Sequence, residues 1–138
     1  MSESEVREVV DFLMFNYYPK YKGRRVDVVP THEQVMQGIR NHPDKVMVVR
    51  DDKVKGVGIF VTLSDDTYKR LRSLDVTRME IIQQLIGQHG PNIHFVLLCA
   101  DGYRTIAAGI RQVKKKYQPK TISWWNPDLS FLHVYKGA

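Results

Sequence analysis

The chain has 138 residues, of which 43% are hydrophobic and 26% charged, with Lys+Arg 21 against Asp+Glu 15 and a formal net charge of +6. That length fits one domain, 1–138, and the longest apolar run, Phe95 to Ala100, is far too short to span a bilayer. The single cysteine, Cys99, excludes an intrachain disulfide, and the acidic start MSESEVREVVDF is not a secretory signal, so a cytoplasmic protein is expected.

In chain order, Ser2-Glu3-Ser4-Glu5 offers a capping box, and Val6, Val9, Val10, Leu13 and Tyr17 recur at helical spacing until Pro19 to Gly23. Thr31 with Gln34 opens a second helix that turns Val35, Met36 and Ile39 inward and stops at Asn41-His42-Pro43. A hairpin follows, with strands over 45–50 and 54–63 and a turn at Asp51-Asp52. Gly56 and Gly58 in its second strand imply a bulge, a close approach or a twisted edge. Residues 64–76 are charged and have no clear period. Thr77 and Glu80 begin a helix ended by His89-Gly90-Pro91.

The strand from Ile93 to Cys99 then runs into Asp101-Gly102, and a helix begins near Arg104 with Ile106, Ile110, Val113 and Tyr117 on one stripe. KTISWW is a further strand. After the turn at Asn126-Pro127-Asp128, LSFLHVYK alternates as a final strand, although Asn-Pro-Asp is also a good helix start. The order ααββ–αβαββ predicts an α+β fold, a mixed and mostly antiparallel sheet flanked by helices.

Beyond residue 102 the basic residues are Arg104, Arg111, Lys114, Lys115, Lys116, Lys120 and Lys136, opposed only by Asp128. Such a surplus attracts anions of several kinds, and the ordinary fate of a lysine run is a solvated helix face. The junction at 101–109 narrows the choice. The first amides of a helix lack intrahelical partners and carry partial positive charge, so small residues there let a phosphate approach. Thr105-Ile106-Ala107-Ala108-Gly109 meets that need, and Arg104 adds a charge. Neither a P-loop nor a dinucleotide GxGxxG is present.

Arg104-Thr105-Ile106-Ala107-Ala108-Gly109, preceded by Tyr103 and an apolar strand, resembles the acyl-CoA loop of the GNAT (GCN5-related N-acetyltransferase) superfamily, Arg/Gln-x-x-Gly-x-Gly/Ala. Ala107 stands where that family has its first glycine, and the first family strand is missing or reduced to RRVDVV. The resemblance covers most of the chain. It implies an N-acyltransferase using acetyl-CoA, or another acyl-CoA, and an unidentified amine acceptor. Backbone groups of Leu97 and Cys99 would pair with the pantetheine, and amides from Arg104, Thr105, Ile106, Ala107, Ala108 and Gly109 would hold the pyrophosphate. Arg111, Lys114 or Lys115 would reach the 3′-phosphate, and Asn126 the pantetheine amides.

The family's customary base is a strand glutamate, but NIHFVLL has no carboxylate. His94 is the candidate base, although alternation aims it at the other face unless a bulge shifts the phase. Tyr135 is the candidate acid. Cys99, at the end of an apolar strand, reads as a buried thiol. Histidines 32, 42, 89, 94 and 133 show no ligand spacing, so no metal is expected. Asp65, Asp66, Asp75 and Glu80 are acidic candidates for holding a cationic amine. Two readings compete with the transferase: a degenerate GNAT fold that binds CoA or a partner without catalysis, and a basic nucleic-acid-associated protein. Open strand edges leave room for a homodimer.

Overall fold

The computed structural model describes residues 1–21, 29–74, 79–126 and 132–136. Helix α1 spans Glu3–Asn16; the Ser2 hydroxyl accepts the Glu5 N–H at 3.1 Å, and Val6, Val9, Val10 and Leu13 form its buried stripe. The helix stops at Asn16, earlier than Pro19 implied. A short α2, Tyr18–Tyr21, follows with Pro19 in its first turn, where no intrahelical N–H is required. Helix α3, His32–Asn41, begins with a full capping box: Thr31 Oγ1 accepts the Gln34 N–H at 3.2 Å, and Gln34 Oε1 accepts the Thr31 N–H at 2.9 Å. RRVDVV falls almost entirely outside the described residues.

Strands β1 (Val46–Arg50) and β2 (Val54–Leu63) form the expected hairpin. The glycines of β2 answer to close approach. A Cβ on Gly56 would lie 2.8 Å from Thr105 Cγ2, and one on Gly58 would lie 2.6 Å from the Phe95 ring. The charged stretch after β2 contains a short α4 (Asp65–Lys69), whose Thr67 N–H donates to Ser64 Oγ at 3.2 Å, and a single helical turn at Leu71–Ser73. Helix α5 is Met79–Ile86; the expected cap Thr77 lies outside the described residues. Strand β3 (Asn92–Ala100), helix α6 (Tyr103–Tyr117), strand β4 (Thr121–Trp125) and strand β5 (Leu132–Lys136) complete the chain. The last of these is a strand rather than a helix.

The sheet order is β1-β2-β3-β4-β5, and only the β3–β4 pair, joined by the α6 crossover, is parallel. One face carries α6, where Ile110 and Val113 pack with Met47, Phe60, Ile93, Phe95 and Ile122. The other face carries α1 and α3 over Val57, Leu97 and Cys99, and further along it Leu85 of α5 packs with Val61, Leu63 and Leu71. Among the described residues no helix is long and apolar enough to cross a membrane.

Candidate functional site

The centre of the sheet carries one irregularity. Leu97 pairs with Ile59 and Phe95 with Phe60, so Val96 is an extra residue in β3. A bulge of this kind leaves two consecutive side chains on one face and bends the strand. Ile93, Phe95, Leu98 and Ala100 therefore face α6, while His94, Val96, Leu97 and Cys99 face the opposite layer. The bulge is also where β3 and β4 part. Among the described residues their pairing runs from Asn92–Thr121 to Phe95–Trp124 and stops, whereas β3 continues to Ala100 along β2 alone.

The hydrogen-bond phase identifies the backbone that faces this gap. The Asp101 N–H donates to the Lys55 carbonyl at 3.0 Å, so by alternation Cys99 and Leu97 also direct their backbone groups at β2. Leu98 and Ala100 point the other way. Below the bulge the Pro91 carbonyl accepts the Lys120 N–H at 2.8 Å, which places residues 91, 93 and 95 toward β4. The expectation for Leu97 and Cys99 is thus displaced by one residue: their backbone groups are turned to β2, and their side chains are buried. Burial also pushes the Cys99 thiol up to about 11, which keeps it protonated and inert.

Gly102 follows in extended conformation and caps α6 without a side chain. The Ile106 N–H already reaches the Gly102 carbonyl at 3.2 Å, which leaves the amides of Tyr103, Arg104 and Thr105 without intrahelical acceptors. The helix starts earlier than the motif implied, so the amides of Ala107, Ala108 and Gly109 lie within its ladder. Gly109 serves packing instead. A Cβ there would lie 2.5 Å from Met47 Cε, so the glycine lets α6 sit against β1. Arg104 is exposed and Tyr103 is 91% exposed. Thr105 donates its hydroxyl to Asp101, which puts one carboxylate beside the open amides. Arg111 lies about 10 Å and Lys114 about 15 Å farther along the helix axis from Arg104.

His94 is fully buried, with Nδ1 2.9 Å from Ser123 Oγ across the last paired rungs of β3 and β4. Tyr135 pairs with Ile122 and so lies on the α6 face, two residues or about 7 Å short of the rung at Trp124. The two proposed proton-transfer residues occupy opposite faces of the sheet and do not meet. His133 stacks on Trp124 at 5.1 Å, nearer the opening, and Asn126 directly follows β4 at its mouth. Trp125 faces the other layer beside the Leu85 cluster.

Among the acidic candidates, Asp65 accepts from Asn92 Nδ2 at 3.0 Å and Lys120 Nζ at 3.2 Å, and those bonds hold its carboxyl below the usual 3.8. Asp75 lies outside the described residues. No group of three metal-ligating side chains occurs among the described residues. Ser123 and the outward backbone of Leu98 and Ala100 were not singled out from sequence. Nothing in VLLCA marks which valine or leucine bulges.

No protein-family model and no curated protein matches the sequence. A solved structure does match in three dimensions: the GphF GNAT-like decarboxylase in complex with isobutyryl-CoA, with a TM-score of 0.59 at 8% identity. The match covers 90% of this chain and 62% of that one, so the chain spans under two thirds of its neighbour's length. The fold is GNAT-like.

Proposed function

We propose that this chain is a single-domain acyl-CoA-dependent N-acyltransferase whose donor lies in the gap between β3 and β4. The observation that carries the reading is the one-sided edge at Leu98–Ala100, which leads within three residues to the uncapped start of α6. The pantetheine amides would add to that edge as an extra strand, and the pyrophosphate would sit at the Tyr103, Arg104 and Thr105 amides beside the Arg104 guanidinium. Asn126 stands at the mouth to meet the same pantetheine arm. A CoA thioester donor and a reduced Cys99 both fit a reducing interior.

Transfer would be direct. The acceptor amine loses a proton, attacks the thioester carbonyl, and the tetrahedral intermediate expels the CoA thiolate, which is then protonated. His94, held by Ser123 at the apex of the gap, is the candidate base. Tyr135 has no part in this reading because it lies on the other face. The acetyl group is the simplest donor, and the neighbour's isobutyryl-CoA makes a branched chain the first alternative to try.

A second reading keeps the acyl-CoA site without N-acyl transfer. It is favoured by the full burial of His94 and the absence of a carboxylate on β3. The neighbour's description as a decarboxylase supplies one such chemistry, loss of carbon dioxide from a carboxylated acyl group.

Calorimetric titration with acetyl-CoA, isobutyryl-CoA and free CoA tests the site, on wild type and on Arg104→Glu. Removing the charge and reversing it beside a phosphate should weaken binding about 10- to 100-fold, the effect of losing a charge-assisted contact. Absence of binding by all three ligands at millimolar concentration would sink both readings. Binding followed by release of CoA with an amine panel supports transfer, whereas gas release from a carboxylated acyl-CoA supports the second reading.

A further inference from the structure

The end of the sheet opposite the gap carries charge that the pyrophosphate site at Tyr103–Thr105 leaves unused, Lys114 and Lys115 included, since they lie about 15 Å or more along α6 from Arg104. Lys114, Lys115 and Lys116 form the last turn of α6, Lys120 precedes β4, and Lys136 ends β5 opposite Thr121. Lys69 closes α4 next to Asp65. All of these except the half-buried Lys114 are exposed. Among the described residues the carboxylates at this end are Asp44, Asp65 and Asp66, and of these Asp65 is already engaged by Lys120 and Asn92. A helix C-terminus favours a cation or two in its own last turn. That effect does not account for Lys69, Lys120 and Lys136, which other segments bring to the same end as the last turn of α6. The open end is different, since Asp51, Asp52 and Asp101 there stand among Lys53, Lys55 and Arg104.

We infer that this lysine-rich end is a second binding surface, for the phosphate backbone of a nucleic acid. The chemistry of the side chains favours that partner over an acidic protein. A protein interface needs an apolar centre, whereas the exposed rings at this end among the described residues are two tyrosines set among the lysines, Tyr117 (39% exposed, its hydroxyl committed to the Asp44 carbonyl at 3.1 Å) and Tyr135 (54% exposed). Lysines are compact point charges suited to phosphates and lack the fork that reads base edges, so contact is to the backbone and independent of sequence. Adjacent strands set Lys136 and Lys120 about 5 Å apart laterally, and α6 stands about 10 Å from the sheet, a spread comparable with neighbouring phosphates along a duplex. Along β3 the surface is about 26 Å from the open edge, and its lysines on α6 are about 15–18 Å from Arg104, so both ligands fit at once. Neither surface needs the other in order to bind.

Fluorescence anisotropy of a labelled duplex of about 20 base pairs, titrated with the full chain across a series of salt concentrations, tests it. Four or so phosphate contacts predict a slope of log K against log salt near −4. The triple variant K115E/K116E/K136E, changed only at exposed positions, should lower affinity at least about tenfold and cut the slope by about 3, with an unchanged melting temperature. Saturating CoA should not displace the duplex. No binding at low salt, wild-type affinity in the triple variant, displacement by CoA, or competition by polyglutamate as strong as by duplex would each overturn the assignment.

Discussion

The two halves of the β3–β4 pair differ although one pair of strands forms both. Below the bulge every rung is closed: Asn92 Oδ1 accepts from Thr121 Oγ1 at 2.8 Å, Asn92 Nδ2 reaches the Leu63 carbonyl at 3.2 Å, and His94 meets Ser123. Above it β3 has a partner on one side only among the described residues. Leu98 and Ala100 are half-buried there, and an unpaired strand edge is a ready template for an added strand. One inserted residue, Val96, separates structural rungs from candidate binding rungs. Nothing about the composition of the two halves differs as much as their partners do.

Deleting Val96 attacks this difference directly and should have the largest effect. Without the extra residue Phe95 and Leu97 become neighbours opposite Phe60 and Ile59, every remaining side chain keeps its face, and the straightened β3 can go on pairing with β4 past Phe95, which closes the gap. We expect acyl-CoA binding to fall by roughly 100-fold or more, with little change in melting temperature because the core faces are kept. A variant that still binds acyl-CoA like wild type would show that the bulge does not make the gap.

Asn92→Ala should sharpen the contrast from the other side. It removes three hydrogen bonds at the closed end, so unfolding free energy should fall by about 1–3 kcal/mol in urea titrations. Acyl-CoA affinity in the folded variant should stay within about threefold of wild type. A loss of affinity matching the loss of stability would mean the two halves are not separable.

The smallest effect concerns pH. The folded Cys99 thiol lies at about 11 against an ordinary value of 9.0, because burial disfavours the thiolate. The folded state therefore holds this proton more tightly than the unfolded state does. Its contribution is complete below about pH 9 and is lost as pH rises toward 11. Melting temperatures across that range should decline less steeply in Cys99→Ala than in wild type, and alkylation of native Cys99 at pH 8 should be slow. At the acid end the sign reverses for Asp65, whose lowered carboxyl loses its contribution as pH falls below the ordinary carboxylate range.

Periodicity and punctuation determined most of the architecture. The stripe Val6-Val9-Val10-Leu13, the Thr31–Gln34 capping box, the hairpin at Asp51-Asp52 and the strand–turn–helix at 93–117 are local patterns, and local hydrogen bonding and burial enforce them. The Arg104 motif likewise located the start of α6 as a phosphate-accepting place to propose. What tertiary structure decided was phase. The bulge at Val96 arises from pairing with β2, and it fixed Leu98 and Ala100, not Leu97 and Cys99, as the outward backbone. Packing against Met47 gave Gly109 its role, and strand register put His94 and Tyr135 on opposite faces. Each of these depends on which residue of a distant strand lies opposite, because a shift of one residue reverses every side chain while leaving the local pattern unchanged.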